Sequence, residues 1–185
     1  LAGMLNPDFL SAKLFKDEVL ARYARAFRDH AGVFVFEFQA MRGKDLPKPD
    51  RWADELHTFL RHLPPDFRYA VELRNRELLT ERHGAVLLAH GVAHVFNSWT
   101  EMPTIGEQLD LPWTFPAGFT VARALLKPGR AYADAVKRFQ PYDRVQEPVP
   151  ALRPDVTRPM VEALRRRIEA VILVLLVVYI FLQSF

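Results

Sequence analysis

Within the stretch RYAVELRNRELL, Arg68 to Leu79, two residues capable of chemistry stand two positions apart, Glu72 and Arg74. The first half of the stretch reads as a buried strand. Side chains alternate across a strand with period two, so Ala70, Glu72 and Arg74 share one face while Tyr69, Val71 and Leu73 share the other. An acid and a base aimed at one place can move a proton and hold an anion. They can also simply satisfy each other as a buried ion pair.

Three more apolar runs repeat the pattern. In VFVFEFQ the face carrying Val33 and Val35 continues to Glu37 and Gln39; VAHVFN places Asn97 after Val95, and GFTVARALL places Arg123 after Val121. Apolar residues come early and a polar group late. In parallel α/β folds ligands gather at the C-terminal edge of the sheet, where rigid strands present side chains and the loops are free to vary. The recurrence over four strands favours a shared mouth over an isolated ion pair.

On that reading Glu72 and Glu37 are the candidate general acid and base, with burial and a neighbouring arginine pulling their pKa values in opposite directions. Arg74 and Arg123 would grip a carboxylate or phosphate, and Asn97 and Gln39 would orient hydroxyls or carbonyls. Trp99, in the loop beyond the third strand, offers a ring for stacking. The expected ligand is an anionic small molecule, phosphorylated or sugar-like, and the expected chemistry is hydrolysis or isomerisation. A non-catalytic module that binds nucleic acid or another phosphate-bearing ligand through the same arginines is the alternative, and an inactive truncated chain is a third reading.

The elements that must position these residues alternate between helix and strand. Leu20, Tyr23, Ala24 and Phe27 recur at helical spacing within Asp17 to His30, before VFVFEFQ; Trp52, Leu56, Phe59 and Leu63 line a second helix from an Asp50 cap to Pro64-Pro65. RYAVELR follows as a strand. A helix from about Thr80 ends at Gly91 before VAHVFN, a proline-rich loop precedes GFTVARALL, and helices over Tyr132 to Phe139 and Asp155 to Glu169 lead to a fifth strand, AVILV. Strands separated by single amphipathic helices pair in parallel through crossovers.

Composition agrees with one globular domain. The chain has 185 residues, 50% hydrophobic and 25% charged, with 25 Lys+Arg against 22 Asp+Glu and a net charge of +3. That excess is too small to argue nucleic-acid binding by itself. The absence of cysteine excludes disulfides and thiol chemistry and allows a cytoplasmic setting. No Gly-rich phosphate loop, nucleophile elbow or paired His-Glu helix motif is present, and no cofactor is identified. His57 and His62 stand five apart, His83 and His90 seven apart; the helical repeat gives them solvated or core-edge roles, and His94 belongs to the helix-side packing with Val92 and Phe96. RGK at Arg42 to Lys44 and KPGR at Lys127 to Arg130 read as basic turns, and Tyr142 as a loop aromatic at the rim.

The segments FVFEFQ, LPPDFRYAVELRNRELL, HGVAHVFNSWTEMP, FTVARALLKPGRAYADAV and FQPYDRVQEP, taken in order, resemble the domain of unknown function 72, or YecE-like, family from about Asn6 to Val174. The resemblance implies a TIM-type β/α barrel, here partial, with about four to five parallel strands alternating with helices. It also implies that Glu72 and Arg74 lie on the family's Glu-x-Arg strand, Gln39 at its Phe-Gln strand end and Arg123 on a late barrel strand. It implies no reaction. The GTSGW-like and VEINSTFY-like segments with which such chains open are absent, and Leu175, Leu176 and Val177 stand where Asn-Asn-Arg would follow the last strand. A fragment lacking N-terminal strands is therefore expected.

The end of the chain is apolar without interruption from Ala170 to Leu182, separated only by Ile168 and Glu169 from Arg165, Arg166 and Arg167. As a helix this run would reach only ~20 Å against a ~30 Å hydrocarbon core. A division is expected: residues 1–174 form the partial barrel, with Ala170 to Val174 as its last strand, and residues 175–185 form an apolar tail. The competing expectation is membrane attachment through Ala170 to Phe185, with the arginines on the cytoplasmic side.

Overall fold

The computed structural model describes residues 8–27, 30–124, 132–140, 152–166 and 169–174. The described residues begin with α1 (Ala12–Leu14), a π-helical stretch (Phe15–Leu20) and α2 (Ala21–Phe27), then alternate: β1 (Val33–Glu37), α3 (Pro49–Leu60), β2 (Arg68–Glu72), α4 (Glu81–His90), β3 (Ala93–Asn97), α5 (Ile105–Leu109), β4 (Phe119–Ala124), α6 (Tyr132–Phe139), α7 (Leu152–Arg165) and β5 (Glu169–Val174). The strands form one five-stranded sheet in sequence order, and every neighbouring pair is parallel. This is the α/β class read from the sequence. Helical crossovers are what parallel neighbours require.

The period-two alternation sorts the two faces as expected. Tyr69, Val71 and Leu73 pack with Trp52, Leu56 and Phe59 of α3 in the helix-side core. Ala70, Ala93, Val95, Phe119 and Val121 form a separate cluster with Val33 and Val35 on the other face, and it is this face that carries Glu37, Glu72 and Arg123 toward the strand ends. Register fixes their level: Glu37 lies opposite Glu72, and Asn97 opposite Arg123.

Local signals explain most boundaries. The Thr80 side chain accepts the His83 N–H at the start of α4, and Gly91 ends that helix with φ 60°, the left-handed region glycine enters without strain. At α3 the expected Asp50 cap is corrected: Lys48 is the cap position, Pro49 opens the helix, and Asp50 lies in the first turn, where its charge suits the helix dipole. α5 stands in what read as a proline-rich loop. Its five residues are too few for a periodic signal, but Thr104 and Glu107 close a reciprocal capping box.

His83 is also corrected, from a solvated or core-edge place to a fully buried one. Trp52 Nε1–H donates to its Nδ1 at 3.3 Å, and Trp113 packs edge-on against both His83 and His94. Trp113 fits there because residue 84 is glycine: a Cβ at Gly84 would lie 2.1 Å from the indole. His90 instead meets His57 across the α3–α4 contact, ring nitrogens 3.0 Å apart. His94 packs on Phe96 in the helix-side layer, as expected.

Ala170–Val174 lie within β5, the expected last strand. Residues 175–185, Lys127 to Arg130 and Tyr142 lie outside the described residues. Among those described, no helix is long and apolar enough to cross a membrane.

Two outcomes are expected of this core. Gly84→Ala destabilises the fold by about 2 kcal/mol or more, since the stiff Trp113 ring must move to admit a methyl group; urea denaturation measures it. Burial lowers His83 to about 3, with His94 adding to the shift, and lowers His94 to about 4 against the opposing Gln108 hydrogen bond. The unfolded chain therefore binds protons that the native state refuses. Stability falls as pH drops from about 6.5 toward 4, by roughly 3 kcal/mol per ring. Urea midpoints across that window should decline in the native sequence and flatten in the His83→Gln/His94→Gln double variant.

Candidate functional site

Placing Glu37 and Glu72 opposite each other at the ends of β1 and β2 sets two carboxylates side by side. Two arginines answer them. Arg74, two residues beyond β2, brings Nη2 to 2.7 Å from Glu37 Oε1, and its Nε stands 3.7 Å from Glu72 Oε1. Arg123, reaching past β3 from β4, sets one guanidinium nitrogen against both Glu37 Oε2 and Glu72 Oε2. Four charges, two of each sign, meet at the C-terminal edge.

The four differ in access. The Glu72 side chain is 0% exposed and that of Glu37 25%, so one carboxylate is sealed and the other opens to solvent. Glu72 Oε1 and Arg74 Nε are buried without a hydrogen-bond partner. Burial raises the Glu72 carboxyl above its ordinary value; Arg123 and Arg74 pull it down and the Glu37 charge pushes it up, and burial prevails. For Arg123, burial works against the charge, but Glu72 and Glu37 more than offset it and its pKa is raised. The buried carboxyl is thus easier to protonate than an ordinary glutamate, and the Arg123 guanidinium harder to deprotonate.

Asn97 lies at the expected level but makes different bonds. Fully buried, it donates through Nδ2 to the Leu73 carbonyl at 3.0 Å and accepts the Trp99 N–H on Oδ1 at 3.0 Å. It holds backbone. Trp99, so placed, lies with its ring 4.2 Å from the Arg74 guanidinium carbon, a cation–π contact that fixes the arginine. Gln39 stands exposed two residues past β1, and its side chain is not part of the charged cluster. The parallel pairing there continues only as far as Phe38, whose N–H donates to the Glu72 carbonyl at 2.9 Å.

Two supporting residues escaped the pattern reading. Asn75 accepts the Met41 N–H at 2.7 Å and donates to the Met41 carbonyl at 3.0 Å, tying the loop after β1 to the end of β2. Gln108, fully buried, donates to the carbonyls of Asn97 at 2.8 Å and Pro103 at 2.6 Å. The Thr104-x-x-Glu107 capping signature just before Gln108 was the available signal. Arg42, from the basic turn RGK, pairs with Glu101 and links the loops after β1 and β3. Among the described residues, no group of three or more His, Asp or Glu side chains is placed to hold a metal ion.

The model of a family described as "Protein of unknown function DUF72" matches residues 9–167. A crystal structure of a DUF72 family protein from Thermotoga maritima is similar in fold, with a TM-score of 0.51 at 16% identity; the match covers 90% of this chain and 62% of that one. The chain thus spans less than two thirds of that relative's length. No curated protein matches it.

Asn97→Ala should leave the Leu73 carbonyl and the Trp99 N–H unpaired, at a cost of about 1–3 kcal/mol. Tryptophan emission should shift to the red as Trp99 leaves Arg74. The shift should vanish when Trp99→Phe is added, a comparison that fluorescence and thermal melts make together.

Proposed function

The chain belongs to the DUF72 family, and on that premise we propose that it is a β/α-barrel-type enzyme doing acid/base chemistry, hydrolysis or isomerisation, on an anionic or phosphorylated small molecule. The observation that carries the reading is Glu72: a sealed carboxyl with a raised pKa, one oxygen without a hydrogen-bond partner, held at the C-terminal edge of parallel strands between Arg74 and Arg123. A carboxyl whose pKa burial raises is better suited to act as a general acid than an ordinary glutamate. Arg74 and Arg123 hold the ligand's anionic group, and Trp99 keeps Arg74 in place. Glu37, the more open carboxylate, supplies the base.

A specific observation also favours a quieter reading. The two guanidiniums and two carboxylates already neutralise one another, as an ion-pair layer inside a sheet would without any ligand. A binding module for a phosphate polymer would use the same arginines, and its affinity would fall steeply with salt.

Carbon-detected NMR titration of the glutamate carboxyls separates the readings. Glu72 should titrate above an ordinary glutamate, and Arg123→Ala should raise it further, because the arginine lowers it in the native sequence. Once sugar phosphates and carboxylates have been screened, Glu72→Gln should cut turnover by about 100-fold with little change in KM. A Glu72 that titrates at the ordinary value leaves the quieter reading.

A further inference from the structure

We propose that Glu37 is a built-in stand-in for the ligand, its carboxylate filling the place between Arg74 and Arg123 that the anionic group of a carboxylate or phosphate takes, and that ligand binding displaces it. The inference deepens the reading of the site above and rests on its anion-holding arginines.

The bridge has the geometry of a bound oxyanion. One oxygen of Glu37, Oε1, meets Arg74 Nη2 at 2.7 Å, and the other, Oε2, meets Arg123 Nη1. Two guanidiniums from different parts of the chain thus each take one oxygen of a single anion, the arrangement in which arginines recognise carboxylates and phosphates. Any two-oxygen anion of similar bite fits the same donors.

Glu37 is also the member of the cluster able to leave. Its side chain is 25% exposed against 0% for Glu72. With Glu37 in place the cluster sums to zero when Glu72 is ionised and to +1 when it holds its proton. With Glu37 withdrawn, two positive charges face Glu72 alone and the site is net +1, or +2 when Glu72 holds its proton. That charge suits a monoanion or a phosphate dianion.

Displacement would do more than vacate space. Released from both arginines, Glu37 becomes an unpaired carboxylate at the mouth, able to accept a proton from the ligand or from a water molecule while Glu72 donates one. One proton leaves Glu72 and one arrives on Glu37, so the total charge of the pair is unchanged. Binding of the anion itself would then arm the base.

Calorimetric titration of the full chain with inorganic phosphate, and separately with acetate, tests this. Glu37→Gln keeps the shape of the side chain and removes the competing charge; it should bind phosphate at least about 10-fold more tightly than the native sequence. Glu37→Asp, too short to bridge, should also bind more tightly and serves if the glutamine variant does not fold. Adding Arg74→Ala to Glu37→Gln should abolish the gain. Tightening for acetate but not phosphate supports the inference and identifies the ligand group as a carboxylate. Folded Glu37 variants that bind neither anion more tightly overturn it. If Arg74→Ala and Arg123→Ala still weaken binding in that case, the arginine grip survives without the stand-in; if no form of the protein binds either anion, both fail.

Discussion

Two carboxylates side by side at the ends of neighbouring strands are the constraint on which the rest of this site depends. Glu37 and Glu72 are register partners, so the sheet fixes their backbone positions side by side. Like charges so placed and partly desolvated repel strongly unless cations stand beside them. Arg74 and Arg123 supply the cations, and each needs support of its own. Trp99 backs Arg74, Asn97 sets Trp99, and Gln108 holds the backbone of Asn97. The chain of contacts runs from one electrostatic problem into the loop after β3 and on to α5.

Much of this was legible in the sequence, because strand periodicity is strict. Once RYAVELR is read as a strand, Glu72 and Val71 must face opposite ways, and the structure puts Val71 under α3 and Glu72 in the cluster. Periodicity assigns a face and a level but not a partner. Asn97 has the right face and level and bonds to backbone; Gln39 lies past the end of β1, where alternation no longer governs direction. His83 misled for a related reason. Helical spacing could not register Trp113, which lies 30 residues further along the chain and covers that face of α4.

The two faces of the sheet also divide the work. Beneath the helices, aromatic rings dominate: Phe15 meets Phe36, Phe59 and Tyr69, and Phe38 meets Trp52. Such packing buries large apolar side chains and is indifferent to charge. The opposite face is lined by alanines, valines and Phe119 and ends in acidic and basic side chains. The aromatic layer and the charged cluster are therefore carried by different side chains of the same strands, so polar residues at the strand ends need not disturb the aromatic layer.

The sheet's strand order has a kinetic side. Because the strands are ordered as they occur along the chain, each pairing joins segments separated by one connection, and the sheet can grow stepwise from either end. The charged cluster obeys a different schedule. The bond between Arg123 and Glu37 joins residues 86 apart and that between Arg123 and Glu72 residues 51 apart, and both require β3 to be seated between β2 and β4. Contacts of such long sequence separation carry a loop-closure cost that is recovered only after the local pairings exist. The long-range pairs of the cluster thus close only once the local pairings exist, and until Arg123 arrives Arg74 alone stands beside Glu37 and Glu72.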